Sequence, residues 1–176
     1  MSTLRVITLP DKRLRKRSTE VDRSFLALHE TQQFIDDLVE LMYLDDGIGI
    51  AAPQVAVARR IIVIGKDAFK QTKNARQFPA MDMVLVNPVL TNHSARHAVD
   101  QEGCLSVPGV FGDVRRAVSL HVEAVDRHGN PIAFDATDFL ARVLQHEVDH
   151  LDGVLFVDKA TNLVQAHNYT HEHPAI

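Results

Sequence analysis

Gln145-His146-Glu147-Val148-Asp149-His150 sets two imidazoles four residues apart with a carboxylate between them. On a helix, residues i and i+4 lie one turn apart on the same face, so His146 and His150 can grip one metal ion together. Glu147 points beside that face. It is placed to exchange a proton with a water on the ion without being a ligand itself. This is the layout of a metal-dependent hydrolase. Phe139, Val143, His146 and His150 are spaced four, three and four apart, so an apolar stripe becomes two histidines toward its end, and the histidines face inward. A single inward histidine is usually a satisfied core residue. A pair enclosing a glutamate points to metal chemistry.

Such an ion needs a third protein ligand, and Cys104, the single cysteine, is the candidate. It sits in Gln101-Glu102-Gly103-Cys104-Leu105-Ser106-Val107-Pro108, with Gly and Pro at the edges, as where a strand meets a turn. One cysteine forms no internal disulfide. Arg5, Lys12, Arg13, Arg15, Lys16 and Arg17 are scattered rather than followed by an apolar run, so no secretory signal is expected and a reducing compartment is. Standing alone, Cys104 reads as a buried thiol acting as a small hydrophobe. With two histidines it gives three ligands and an open fourth position, the pattern of a catalytic site rather than a closed structural one. A third cluster, Gly47-Ile48-Gly49-Ile50-Ala51-Ala52-Pro53-Gln54, lets the backbone come close to another element or a ligand. It lacks the Lys-Ser/Thr ending of a phosphate loop and the glycine spacing of a dinucleotide site.

The elements that must position these residues follow from pattern. A helix is expected from Asp138 to Leu151, capped by Thr137 or Asp135 and stopped at Asp152-Gly153. A second apolar stripe, Leu140, Leu144 and Leu151, lies beside the first, so this helix is buried on more than one side. An amphipathic helix is expected from Ser24 to Leu44. Arg60–Ile64 and Met83–Val86 read as strands, with Lys66–Pro79 between them as a flexible loop. Val118–Val125, a turn at Asp126–Asn130 and a return strand at Pro131–Phe134 read as a hairpin. The expected class is α+β, with small, mainly antiparallel sheets packed around a central metal-binding helix and an N-terminal helix.

The three clusters, in this order, resemble the signature of the peptide deformylases: Gly-x-Gly-x-Ala-Ala-x-Gln at Gly47, Gly49, Ala51, Ala52 and Gln54; Glu-Gly-Cys-Leu-Ser at Glu102 to Ser106; and His-Glu-x-Asp-His at His146, Glu147, Asp149 and His150. The resemblance runs from about Leu4 to Asp158. It implies removal of the formyl group from N-terminal formylmethionine of newly made peptides, giving formate and a free N-terminal methionine. Cys104, His146 and His150 would bind one divalent metal, commonly Fe2+, with Zn2+, Ni2+ or Co2+ able to substitute. Glu147 would serve as general base and proton donor. Gln54 and the backbone N–H of Leu105 would meet the charge on the former carbonyl oxygen. Ile48, Phe139 and Val143 would line the methionine pocket, and Gly47 to Ile50, including Gly49, would pair with the peptide backbone. Ile50 stands where leucine is frequent, and Phe111 where some relatives have arginine.

At 176 residues a single domain over 1–176 is expected, with residues from about 159 onward as a frayed tail. An apolar share of 45%, with no run of membrane length, excludes a helical membrane protein, and a formal charge of −4 gives no cause for nonspecific nucleic-acid binding. The expected partners are N-formylmethionyl nascent peptides, which implies transient proximity to the ribosome in the cytoplasm. Lys159 to Ile176 holds one Lys and no Arg, so it does not supply the basic docking helix of some family members. His167, His171 and His173 belong to this tail, and His29, His93, His97, His121 and His128 are expected at the surface. Two other readings stay open. One is a zinc hydrolase whose third ligand is a downstream His or Glu, against which Cys104 and Gln54 argue. The other is a noncatalytic metal-binding or partner-binding module, which has little need for Glu147 and Gln54 together.

Overall fold

The computed structural model describes residues 4–70, 72, 75–78 and 80–166. Its centre is a five-stranded antiparallel sheet in the order β1 (Gly49–Ala51), β2 (Ile61–Ile64), β3 (Met83–Thr91), β6 (Ser119–Val125) and β7 (Pro131–Thr137). A second antiparallel sheet joins β4 (His97–Cys104), β5 (Val107–Ala117) and β8 (Thr161–Gln165). The helices are α1 (Arg23–Leu26), α2 (His29–Leu44), α3 (Lys66–Lys70) and α4 (Asp138–Leu151).

The apolar run Ile61-Ile62-Val63-Ile64 is fully buried because both faces of the large sheet are covered. Side chains alternate across a strand, so Ile62 and Ile64 join Leu140, Val143 and Leu144 of α4 in one cluster. Ile61 and Val63 join Ile35, Leu38 and Met42 of α2 in another. A third cluster, under the smaller sheet, holds Leu14, Cys104, Val114, Leu155 and Phe156. The α+β arrangement around α4 is therefore as the pattern predicts, and α4 begins and ends where expected.

Three expectations need correction. The amphipathic stretch is not one helix from Ser24: the backbone turns extended at Leu28, and the Gln32 side-chain amide donates to the freed Leu26 carbonyl, which makes the break tolerable. The loop expected over Lys66–Pro79 contains α3, where Phe69 is buried and its ring packs 5.0 Å from that of Phe78. Within the tail expected to fray from about residue 159, Thr161–Gln165 form β8, which pairs with β5 at Val110, Phe111 and Asp113. His167, His171 and His173 lie outside the described residues. Among the remaining histidines, His29, His93, His97 and His128 are exposed, and His121 is half-buried with Nδ1 2.6 Å from Asp135.

Two local features aim the ligand-bearing elements. The β4–β5 register shifts between Gly103 and Cys104, an irregularity of the kind that re-aims side chains. At the other end of the site, β7 runs into α4 with no connecting loop. The corner is made by Asp138, whose φ of 54° turns the chain while its N–H donates to the Val118 carbonyl.

Candidate metal centre

α4 presents His146, Glu147 and His150 to the interior, and β4 ends beside them at Cys104. One ligand atom from each of Cys104, His146 and His150 can be chosen so that all lie within 4.8 Å of one another. Cys104 Sγ is 3.3 Å from His150 Nε2. All three residues are at most 3% exposed.

His146 is oriented from behind. Its Nδ1 is 2.9 Å from Glu102 Oε2, which leaves Nε2 facing the cluster, buried and without a hydrogen-bond partner among the described residues. A buried polar atom left this way demands an explanation. An imidazole steered by a carboxylate on its far nitrogen is the usual surrounding of a metal-binding histidine. The donor set of one thiol and two imidazoles fits a divalent transition metal with an open position. Burial pushes the Cys104 thiol up to about 12, with the charges of Glu147 and Glu102 adding to the rise against the N–H groups of Ser106 and Val107. Burial holds His150 well below its ordinary range, hence neutral and able to donate a lone pair. A bound cation reverses the penalty on the thiolate.

Glu102 is the centre of the support. Its Oε1 accepts from Arg116 Nε at 3.0 Å and Arg142 Nη1 at 2.7 Å, and its Oε2 accepts from Arg116 Nη2 at 2.9 Å as well as from His146. Burial alone would raise this carboxyl, but hydrogen bonds from His146 and Arg116 hold it well below the usual carboxylate range. Arg142 also donates to the carbonyls of Val114 and Ala98, tying β5 and β4 of the smaller sheet to α4. Pattern reading did not single out Arg116, Arg142 or this role of Glu102. The available signal was Arg142 itself, a charged residue between Ala141 and Val143 on a buried helix.

Glu147 stands in contrast. It is fully buried, and neither carboxylate oxygen has a hydrogen-bond partner among the described residues. Burial, reinforced by the charge of Glu102, raises it well above an ordinary glutamate. Gly49 of β1 lies against it, since a Cβ there would sit 2.6 Å from Glu147 Oε1. Gln54 is 1% exposed. Its Oε1 accepts from the Ala51 N–H at 2.8 Å, which turns Nε2 toward Cys104 Sγ at 3.6 Å and Ser106 Oγ at 3.3 Å. A Cβ on Gly47 would lie 3.1 Å from Leu105 Cδ1, so the glycine segment and the cysteine turn are in contact. Ile48, Phe139 and Val143 all belong to the apolar cluster on the α4 side of the large sheet. The fold thus gathers residues from 47 to 150 around one buried point.

A family model described as Polypeptide deformylase matches residues 3–166. The chain belongs to the peptide deformylase family. Its reaction is the metal-dependent hydrolysis that removes the formyl group from N-terminal formylmethionine of newly synthesised peptides, leaving formate and a free N-terminal methionine. The chain is 39% identical over 165 residues to a peptide deformylase of Pelotomaculum thermopropionicum, covering 93% of this chain and 95% of that one. It is 43% identical over 166 residues to peptide deformylase 2 of Vibrio cholerae, covering 94% and 90%. Among solved structures it resembles a Synechococcus elongatus peptide deformylase in complex with actinonin, with a TM-score of 0.78 and 37% identity over 92% of this chain and 81% of that one. It also resembles a Met-Ala-Ser-bound class I type b peptide deformylase of Acinetobacter baumannii, with a TM-score of 0.79 and 32% identity over 90% and 99%. No helix among the described residues is long and apolar enough to cross a membrane.

Proposed function

We propose that this deformylase works as a single domain in which Cys104, His146 and His150 hold one Fe2+ ion, replaceable by Zn2+, Ni2+ or Co2+, while Glu147 moves the protons. The ion, when bound, supplies Lewis acidity that makes water nucleophilic near neutral pH. Glu147 takes the proton of the attacking water and returns it to the leaving amine. Its burial suits it to both tasks, because a carboxyl whose hold on a proton is strengthened by burial takes one up more readily than an ordinary glutamate and can then hand it on. Gln54 Nε2, fixed by the grip of Ala51 on Oε1, and the Leu105 N–H receive the oxygen on which negative charge develops. Ile48, Phe139 and Val143 form the apolar wall for the methionine side chain. Gly49 brings the β1 backbone close enough to Glu147 for a peptide laid along that strand to reach the proton donor.

The observation that carries this reading is the pairing of three clustered ligand atoms with a buried, unpartnered carboxylate beside them. We place its work on nascent chains in the cytoplasm near the ribosome, where formyl-methionyl N-termini first arise. The test is formate release from a formyl-methionyl tripeptide by protein purified without air, with metal content measured in parallel. Activity that is lost with a chelator and restored best by Fe2+ supports the assignment. Formate release that is indifferent to chelation sinks it.

A further inference from the structure

The short 3-10 turn Phe156–Asp158 and the Lys159 that ends it touch the metal helix twice. Phe156 stacks on the His146 imidazole, with centroids 6.2 Å apart and 21° between planes. Three residues later, Lys159 Nζ reaches both oxygens of Asp149 at 2.7 Å. Asp149 Oδ2 accepts from Arg116 Nη1 at 2.5 Å, Arg116 grips Glu102 with two nitrogens, and Glu102 meets His146. Side-chain exposure falls along this path from 43% at Lys159 to 17% at Asp149, 3% at Arg116 and 0% at Glu102. A line of charge-assisted hydrogen bonds therefore runs from solvent to the far nitrogen of a metal-facing histidine.

We propose that Lys159 is a positioning residue for the metal centre, acting through Asp149, Arg116 and Glu102 on the orientation of His146. This rests on the ligand set proposed above. The charge count makes Asp149 necessary: two guanidinium groups, Arg116 and Arg142, meet on the single carboxylate of Glu102, and Asp149 supplies the second anion. Asp149 is the partly exposed member, free to rotate toward water unless something holds it. Lys159 does so from a fixed place, since its turn is closed by the Leu155 N–H donating to Asp158 Oδ2 at 2.8 Å and by the Arg15–Asp158 ion pair. With Asp149 released, Arg116 loses the acceptor that sets its plane. The grip on Glu102 then loosens, and the imidazole spreads over more orientations.

An exposed ion pair contributes little to stability by itself, so the effect belongs in metal affinity rather than in folding. Direct partners of ligating histidines typically cost about 10- to 100-fold in affinity when removed. Lys159, three side chains away, is expected near the lower end, about 10-fold. The experiment titrates metal-free protein with Co2+ against a competing chelator and follows the visible Co2+ spectrum. Lys159→Ala and Lys159→Gln should weaken Co2+ binding and broaden that spectrum, Lys159→Arg should restore both, and Lys70→Ala, which breaks an exposed pair with Asp67 away from this path, should leave them unchanged. The melting temperature of the metal-free protein should not move. Unchanged Co2+ affinity in Lys159→Ala overturns the proposal. So does an equal fall in melting temperature with and without metal, which marks a merely structural role. Cys104→Ser, run alongside, separates the layers. If it loses Co2+ while Lys159→Ala does not, only the positioning role fails; if it keeps Co2+ at parental affinity, the ligand set fails and this proposal with it.

Discussion

Behind the ligands and in front of them, the same buried site treats two carboxylates in opposite ways. Glu102, behind, accepts from two arginines and a histidine, and its four contacts fill both oxygens. Glu147, in front, has no hydrogen-bond partner among the described residues. Burial penalises the charge on both, yet Glu102 is held low by its donors while Glu147 is pushed high. The difference supports the proposed division, Glu102 as framework and Glu147 as reagent: the protein completes the hydrogen bonds of the first and leaves open those of the second. Pairs of acids driven apart in this way mark acid–base assignments.

The largest expected effect removes the point both regions serve. Cys104→Ser should lose nearly all activity and most bound metal while keeping its far-UV circular dichroism; full metal and full turnover in that variant would mean the two carboxylates surround something other than a metal centre. Next comes the front. Glu147→Ala should keep its metal, measured by elemental analysis, and lose roughly two to four orders of magnitude in kcat. Gln54→Ala should lower kcat by on the order of 100-fold, corresponding to about 3 kcal/mol of transition-state stabilisation, with little change in KM and none in metal content. The back should respond in a different currency. Glu102→Gln should weaken metal binding by about 10- to 100-fold and lower the melting temperature, because it leaves Arg116 and Arg142 buried around a neutral amide. If Glu102→Gln instead reduced kcat at full metal occupancy, the division between framework and reagent would fail.

The smallest effect is a pH dependence of the metal-free protein. The Cys104 thiol is raised from 9.0 to about 12 in the fold, so the unfolded chain gives up this proton first. The stability tied to it is present below about pH 9 and is lost as pH rises toward 12. Melting curves of metal-free protein across that window should show the decline, and those of Cys104→Ser should lack it. Metal-loaded protein should also escape it, because the thiol is already deprotonated when bound.

The front was legible in sequence and the back was not, for a physical reason. His146, Glu147 and His150 announce themselves because a helix converts spacing into a shared face, and Cys104 because the chain has no other thiol. Gln54 was placed only by family resemblance; nothing in the composition of its segment tells that its amide turns toward Cys104. Glu102, Arg116, Arg142, Asp149 and Lys159 come from several elements and follow no period. A buried charge becomes intelligible only when topology delivers its partner. α3 was missed because a five-residue helix has no room for a pattern. β8 was missed because its residues are exposed along their whole length and carry no buried alternation.

The Phe156 stack gives the site a place in time as well as in space. β4 delivers Cys104, α4 delivers both histidines some forty residues later, and the ring that backs His146 and the lysine that anchors Asp149 come after the helix has ended. Contacts so distant along the chain close late. A ribosome making this protein must therefore synthesise the chain through Lys159 before the proposed ligands and their support can close together, so the enzyme that trims the start of other new chains cannot complete its own centre while only the glycine segment and the cysteine turn have been made.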